Sequence, residues 1–322
     1  MFHLTYLDAF LGTVALYWNF FDMPTEKEWL TFAQWGEKYG KLSSVTVFGQ
    51  PLIIVNSVSI AKDMLDKNSA IYSDRPLIPM GGELCGWKNA LALLPYGDRF
   101  RNYRRFARQL FGNAITMKSF HPVEEAETHR FLKQLLSRPA EFSEHIRKTA
   151  GAIILRISHG YQVGEGTDPF VTLAERAMNQ FALSTSNSAF LVNLVPFLGP
   201  RSLVPNNRKR MASTLNEMVD LPYNFVKQQI AAGSAEPSYV SKLLEGQTLS
   251  AEQEFEIKWS SASLYAGGAD TTVSAIYSFF KALALYPEVQ TRAQEEIDSV
   301  VGNDRLPSFE DRAYATDHRA MK

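Results

Sequence analysis

The sequence is poor in the features that mark several large classes of protein. Its 322 residues include one cysteine, Cys85, so no disulfide bond can form within the chain. The formal net charge is −1, whereas a protein whose main partner is nucleic acid usually carries a basic excess. Neither an HExxH motif nor paired cysteines occur, which argues against a zinc site built by this chain. The absence of a G-x-S-x-G motif argues against the common serine hydrolases.

A long uninterrupted apolar run is also missing, even at the N-terminus. Ala9 to Trp18 is nearly all apolar and Phe20-Phe21 extend it after Asn19, but Asp8 interrupts any longer span and no Lys or Arg precedes Lys27. A spanning helix needs about 20 apolar residues, and a signal peptide usually begins with positive charge. Two interpretations of residues 1–23 stay open, a membrane anchor or interfacial helix and a packed N-terminal helix.

The rest of the chain predicts a mainly α fold with a small β element. Gly49-Gln50-Pro51 separates two runs rich in β-branched residues and predicts a hairpin. Helical patterns precede and follow this hairpin, over Glu26 to Tyr39 and over Ser57 to Asp66. Ser73 to Pro95 is rich in Gly and Pro and predicts a long loop. From Asp98 onward nearly every segment has helical spacing.

The most informative segment lies inside a predicted 35-residue helix, Ala251 to Leu285. Gly267 and Gly268 each cost about 1 kcal/mol relative to alanine in a helix interior. Asp270 adds a carboxylate that is costly to bury, and the Thr271 hydroxyl can bond back to the Gly267 carbonyl. This combination indicates a site where a proton is handled. The alternatives are a structural carboxylate and a glycine pair that admits a neighbouring helix.

Four arginines form a second candidate feature, because their spacing places them on one side of a helix: Arg101, Arg104, Arg105 and Arg108. The simplest interpretation is a solvated face. The functional interpretations are a cofactor that bears carboxylates or phosphates, and an acidic partner protein.

In combination, these motifs resemble the cytochrome P450 family of haem-thiolate monooxygenases, in its fungal membrane-bound form. Gly267 to Thr272 matches the oxygen-activation motif of the family's central helix. Tyr96 to Arg105 resembles its W-x-x-x-R helix, with Phe100 in place of Trp and Arg104 at the arginine position. The remaining matches follow in the family's order: the hairpin of Val45 to Asn56, Tyr72 to Pro76, and Tyr286 to Gly302.

The resemblance implies an O₂-dependent oxidation of an apolar substrate, with haem as cofactor and electrons from NADPH through a reductase. Asp270 would relay protons, and Thr271 would donate a hydrogen bond that retains the reactive oxygen species. The implied cofactor-binding residues are Arg104, at a haem propionate, with Gly267, Gly268 and Thr272. Ile78 to Leu94 and Phe190 to Leu198 would shape the substrate entrance, and part of the arginine stripe would face the reductase. The implied location is the endoplasmic reticulum membrane.

The sequence also departs from the family pattern. Cys85 does not match the family's F-x-x-G-x-R-x-C-x-G loop, because Ile78, Glu83 and Trp87 stand where Phe, Arg and Gly are expected. We expect Cys85 to be a packed or exposed loop thiol. The pattern E-x-x-R occurs at Glu127 to Arg130 and at Glu144 to Arg147, but both precede the central helix, and ion pairs on a helix face are the simpler interpretation.

We therefore expect a partial P450 domain over residues 24–313, truncated at its C-terminal side, with a divergent tail over 314–322. Such a chain would be catalytically inactive as written and would expose a large apolar patch at Ala266 to Thr272. The alternative is a non-catalytic helical module that binds apolar ligands or a membrane.

Overall fold

The computed structural model describes residues 23–24, 26–47, 50–186, 189–194 and 205–314. Within these ranges the chain is mainly helical with one two-stranded sheet, which confirms the predicted fold class. Residues 1–22, residues 195–198 of the predicted entrance segment and residues 315–322 of the predicted tail lie outside the described residues.

Thirteen α-helices and two strands provide the framework of the described residues. In chain order they are α1 Glu28–Tyr39, β1 Leu42–Val47, β2 Gln50–Val55, α2 Val58–Lys62, α3 Ser69–Tyr72, α4 Asp98–Phe111, α5 Ala114–Lys118, α6 His121–Ser137, α7 Phe142–His159, α8 Pro169–Thr185, α9 Leu191–Leu194, α10 Pro205–Ala231, α11 Tyr239–Leu244, α12 Ala251–Leu285 and α13 Pro287–Val300.

The predicted hairpin is present and antiparallel, with Ser44 opposite Ile53. Gly40 ends α1 at a φ of 101°, a left-handed conformation that favours glycine. The Asn56 side chain then ties β2 to α1, because its amide donates to the Phe32 carbonyl at 2.8 Å. The predicted helix of Ser57 to Asp66 is instead a five-residue α2 followed by a π-helical turn over Asp63–Lys67.

The central helix α12 has the predicted bounds. Ser250 and Gln253 form a capping box at its start, each side chain bonding to the other residue's backbone amide. Pro287 follows its last turn and begins α13, because proline cannot continue a helix but fits a first turn.

Helix α7 lies antiparallel along α12 and fixes its position. Phe142, at the start of α7, packs edge-on against Phe280 near the end of α12, with ring centroids 4.9 Å apart. Ile154, near the end of α7, contacts Gly268 in the middle of α12. Between these contacts, Ile146 and Ala150 of α7 share a buried cluster with Val273.

The segment Ser73 to Pro95 was predicted as a long loop, and this prediction is wrong in part. Pro79–Leu84 forms a π-helical turn and Trp87–Asn89 a 3₁₀ turn. Met80 and Trp87 are buried in the main core, which fixes the segment against the helices. The prediction was wrong because Met80 and Trp87 are not part of any helical or strand periodicity in the sequence.

The described part of the chain contains no helix that is both long and apolar enough to cross a membrane. The N-terminal apolar segment lies outside that part, so both interpretations of residues 1–23 stay predictions.

Candidate functional site

The two adjacent glycines of α12 face different surroundings. A Cβ added at Gly268 would lie 2.6 Å from Cγ1 of Ile154, closer than real side chains approach, so glycine is required where α7 meets α12. A Cβ added at Gly267 would meet nothing within 4 Å. The alternative of a helix-packing glycine therefore describes Gly268, whereas Gly267 leaves open space on the other side of the helix.

Thr271 lies one turn after Gly267 on the same exposed side of α12. Its hydroxyl donates a hydrogen bond to the Gly267 carbonyl at 2.7 Å, which confirms the predicted back-bond. Thr272 is half-buried. Thr271 thus places a polar oxygen beside the open space at Gly267.

Asp270 is exposed in this structure, contrary to the sequence interpretation that a carboxylate at this point of the helix is buried. The reason is that α7 and α8 cover only one side of α12 at this level. On that covered side, Asp270 lines a cavity of about 70 Å³ between the three helices, together with Asn179, Tyr265, Arg147 and Glu175. Apolar side chains, among them Val171 and Met178, complete the lining. Asp270 therefore stands between a small cavity of mixed lining and the open side of α12.

An ion pair forms one wall of that cavity. Arg147 of α7 contacts Glu175 of α8 at 2.8 Å. The sequence instead predicted a pair between Glu144 and Arg147, and this is wrong because Arg147 turns toward α8. The corresponding prediction for Glu127 and Arg130 is confirmed, with the two groups 3.2 Å apart.

The arginine stripe of α4 is exposed along its length, as its solvated-face interpretation requires. Arg101 pairs with Asp98 of the same helix. The Arg104 guanidinium lies 5.7 Å from the centroid of the Phe100 ring, and within the described residues no ion pair is found for it. Arg104 therefore keeps its charge available for an anionic group.

No local pattern predicts the contacts that join α4 to α12. The Asn102 amide donates to both carboxylate oxygens of the buried Glu256, each at 3.0 Å, and Arg99 pairs with Glu252 at 2.7 Å. Ser263 of α12 accepts from the Leu91 amide at 2.9 Å and anchors the segment before α4. These pairs are more than 150 residues apart in sequence, beyond the reach of spacing arguments.

Cys85 is a packed thiol, one of the two alternatives predicted for it. Its side chain is 2% exposed and its sulfur lies 4.0 Å from the sulfur of Met211. Burial raises the pKa of Cys85 to about 11 and outweighs the opposing effect of Arg208. The group is thus a neutral thiol at neutral pH.

We expect native Cys85 to resist alkylation. At pH 7, a pKa of about 11 leaves about one thiol in 10⁴ ionised, and burial blocks access to the rest. Iodoacetamide labelling followed by mass spectrometry should show almost no modification of the folded chain and full modification in urea. Rapid labelling of the folded chain would contradict the assigned packing.

Comparison with known proteins identifies the family. The sequence profile of "Cytochrome P450" matches residues 11–314. Cytochrome P450 monooxygenase 208 of Postia placenta is 47% identical over 300 residues, covering 91% of this chain and 58% of the relative. Monooxygenase claR of Ampulloclitocybe clavipes is 43% identical, covering 92% and 56%, and ppsD of Aspergillus oryzae is 41% identical, covering 91% and 57%. The chain belongs to the cytochrome P450 family and spans a little over half the length of these curated relatives.

The open space at Gly267 admits a flat macrocycle, but the described residues supply no ligand for a haem iron. Arg104, on a different helix, is an exposed cation suited to a carboxylate. The described part of the chain holds no group of three His, Cys, Asp or Glu side chains able to bind a metal. Its cysteine is buried and protonated, whereas a metal ligand must be a thiolate.

Proposed function

We propose that this chain forms the oxygen-activating part of a P450 monooxygenase that oxidises an apolar organic substrate with O₂ and electrons from NADPH. The observation that supports this most is the exposed side of α12, where Gly267 leaves space and Thr271 places its hydroxyl. The relatives at 41–47% identity are themselves described as monooxygenases.

Thr271 and Asp270 divide the proton chemistry between them. Haem, when bound beside Gly267, supplies the oxygen chemistry of the family. The proposed donation of a hydrogen bond by Thr271 requires its hydroxyl to rotate, because in this structure its proton is directed at the Gly267 carbonyl. In the present orientation the lone pairs of its oxygen can accept a hydrogen bond from water or substrate. Asp270, about 100° around the helix from Thr271, can take up a proton at its carboxylate from the cavity that it lines and deliver it toward the open side.

Arg104 is exposed and would hold a haem propionate. Gly268 and Thr272 are half-buried and remain proposed members of the cofactor-binding motif, Gly268 through its packing against Ile154 of α7. The rest of the arginine stripe offers an exposed basic surface, which suits an acidic electron donor such as a reductase. A place at the endoplasmic reticulum membrane is proposed from the family resemblance.

We further propose that this polypeptide by itself does not catalyse the reaction. The chemistry requires a thiolate on the iron, and the chain offers only the buried, neutral Cys85. A non-catalytic helical module that binds apolar ligands or a membrane is the alternative. Saturable binding of an apolar ligand, with cooperative unfolding in the absence of haem, would favour it.

The role of Thr271 can be tested in a completed enzyme. The chain would be joined to the segment of the Postia placenta relative that it does not match, and oxidised product per NADPH would be measured. Thr271→Ala should lower this ratio by about tenfold or more, because a positioned proton donor or acceptor is lost. Thr271→Ser, which keeps the hydroxyl, should restore most of it.

Ser278→Ala is the matched control, since Ser278 makes the same kind of back-bond two turns later on α12, to Ser274 at 2.9 Å. It should leave product formation unchanged. Equal ratios in Thr271→Ala and in the unsubstituted enzyme would overturn the assignment.

A further inference from the structure

One buried side chain joins the two segments that are predicted to shape the substrate entrance, Ile78 to Leu94 and Phe190 to Leu198. Asn193, on α9, is 9% exposed. Its Oδ1 accepts a hydrogen bond from the backbone amide of Met80 at 2.8 Å, although the two residues are 113 positions apart in sequence. This bond links the described part of the second segment directly to the first.

The side-chain nitrogen of Asn193 is bonded as well. Nδ2 donates to the Ser184 carbonyl at 2.9 Å and to the Ser186 carbonyl at 3.0 Å, where α8 ends. Both donors and the oxygen of this side chain therefore bond to backbone groups. The turn Pro79–Leu84, the end of α8 and α9 meet at this one residue, and the arrangement is here called the Asn193 clamp.

Close packing also keeps the turn Pro79–Leu84 on the end of α8. A Cβ added at Gly81 would lie 2.8 Å from Cγ2 of Thr185, so the turn and the helix leave no room for a side chain between them. Met80 is fully buried and belongs to the same core cluster as Phe190 of the second segment. The contact thus combines buried hydrogen bonds with close apolar packing.

The far end of the first segment is anchored beside the open side of α12. The Leu91 amide donates to the Ser263 hydroxyl at 2.9 Å. Ser263 lies one helical turn before Gly267 and therefore on the same side of the helix. Between the two anchors, the Trp87 ring packs against Phe181 of α8 with ring centroids 4.6 Å apart. The first segment thus runs from the Asn193 clamp to the space that Gly267 leaves open.

We propose that Asn193 is a positioning residue for the substrate, which fixes the two entrance segments to each other as one rigid unit and so sets the access to the Gly267 side of α12. This inference rests on the proposed function, because it takes that side as the place of oxidation. Asn193 acts through Met80 and the end of α8. Walls that are held in place before the substrate arrives reduce the entropy cost of binding it. Loss of the clamp should therefore weaken substrate binding and leave the chemical step almost unchanged.

Amide hydrogen exchange tests the clamp in the 322-residue chain without haem. In Asn193→Ala the Met80 amide loses its acceptor and should exchange about 100-fold faster. The Cys85 amide, which bonds to the Met80 carbonyl in the same turn, should accelerate with it. The Leu91 amide is the internal reference, because its bond to Ser263 does not involve the clamp. Its exchange should change less than threefold.

A second substitution tests whether the two segments behave as one unit. Gly81→Ala pushes against Thr185 from the first segment and should speed the exchange of the Asn193 amide, which belongs to the second. Thr185→Ser removes the methyl group that the new carbon meets but keeps the hydroxyl, which bonds to the Phe181 carbonyl at 2.8 Å. The double variant should recover about half or more of the slow exchange.

A completed enzyme separates substrate positioning from stability. The chain would again be joined to the unmatched segment of the Postia placenta relative and tested with straight-chain and cyclic hydrocarbons. For each hydrocarbon that the unsubstituted enzyme oxidises, Asn193→Ala should raise KM about tenfold and change kcat less than twofold. Asn56→Ala is the matched control, because Asn56 also bonds through its amide to a distant carbonyl, that of Phe32, but lies outside both segments. It should change KM and kcat less than twofold.

Three results would overturn the proposal. Unchanged exchange of the Met80 amide in Asn193→Ala would show that the clamp does not hold the first segment. Equal acceleration at Leu91 would show a general loss of stability. A fall in kcat with KM unchanged would show that Asn193 does not act on substrate binding. Absence of any oxidation by the unsubstituted completed enzyme, with fast Met80 exchange in Asn193→Ala, would contradict the proposed function instead of the clamp.

Discussion

Gly268→Leu is expected to destabilise the folded chain by about 3 kcal/mol, whereas Gly267→Leu should stabilise it by up to about 1 kcal/mol. The contrast arises because a side chain at Gly268 must displace Ile154, whose Cβ would lie 3.0 Å from the new carbon. At Gly267 no atom lies within 4 Å, so the substitution mainly improves the helix propensity of α12. Urea unfolding followed by circular dichroism measures both changes in the free energy of unfolding.

The double variant Gly268→Leu with Ile154→Ala provides the control for this mechanism. Removing the Ile154 side chain opens space, so the two substitutions together should cost less than the sum of their separate effects. Additive costs would show that the contact between α7 and α12 is not the cause. In the completed enzyme, Gly267→Leu should abolish haem binding without destabilising the 322-residue chain, since its side chain fills the open space.

His159 should make the folded chain sensitive to mild acid. It is fully buried at the end of α7, where its Nδ1 lies 2.7 Å from the Ser158 hydroxyl and its ring packs edge-on near Tyr265. Burial lowers the pKa of His159 from 6.5 to about 3. Between about pH 3 and pH 6.5, His159 is protonated in the unfolded chain but neutral in the folded chain. Stability is therefore complete above pH 6.5 and falls with decreasing pH, by about 1.4 kcal/mol per unit.

His159→Gln isolates this contribution, because an amide does not titrate in this range. Between pH 6.5 and 4 the unsubstituted chain should lose about 3 kcal/mol more than the variant. Urea unfolding at half-unit pH intervals gives both slopes. Parallel slopes would show that His159 is protonated in the folded state or is exposed to water.

Local sequence signals predicted the features that depend on nearby residues. The bounds of α12 follow from Ser250 at its start and Pro287 after its end, and the Thr271 back-bond depends on a carbonyl four residues away. The β1–β2 hairpin follows from β-branched runs around Gly49-Gln50-Pro51. The helix ends, the back-bond and the hairpin each depend on residues within one helical turn or one hairpin of each other.

Features that depend on distant packing were missed. Sequence spacing could not show that Gly267 and Gly268 have different surroundings. The difference arises because α7 packs against α12 at Gly268 and not at Gly267. Arg147 pairs with Glu175 rather than Glu144 because α8 lies beside α7. The exposure of Asp270 likewise depends on which sides of α12 the other helices cover. An apolar helix sequence does not contain that information.

The expected apolar exposure is present, but its distribution differs from the prediction. At the predicted position, Gly267, Asp270 and Thr271 are exposed while Ala266 is buried. Large exposed apolar side chains lie further along the chain, at Phe279, Leu285, Tyr286 and Val289, and others lie before the central helix, within residues 26–72. The exposed part of Gly267 to Thr272 is therefore glycine and polar residues rather than large apolar side chains.

The reduced carbon monoxide difference spectrum of the 322-residue chain mixed with haem tests the central claim most directly. If this chain carries the oxygen-activating side of a P450 site without its iron ligand, the spectrum should contain no thiolate-type Soret band. Joining the chain to the unmatched segment of the Postia placenta relative should produce that band. A thiolate-type band from the 322-residue chain alone would contradict the account, because the only thiol in the chain is that of Cys85, which is buried and protonated in this structure.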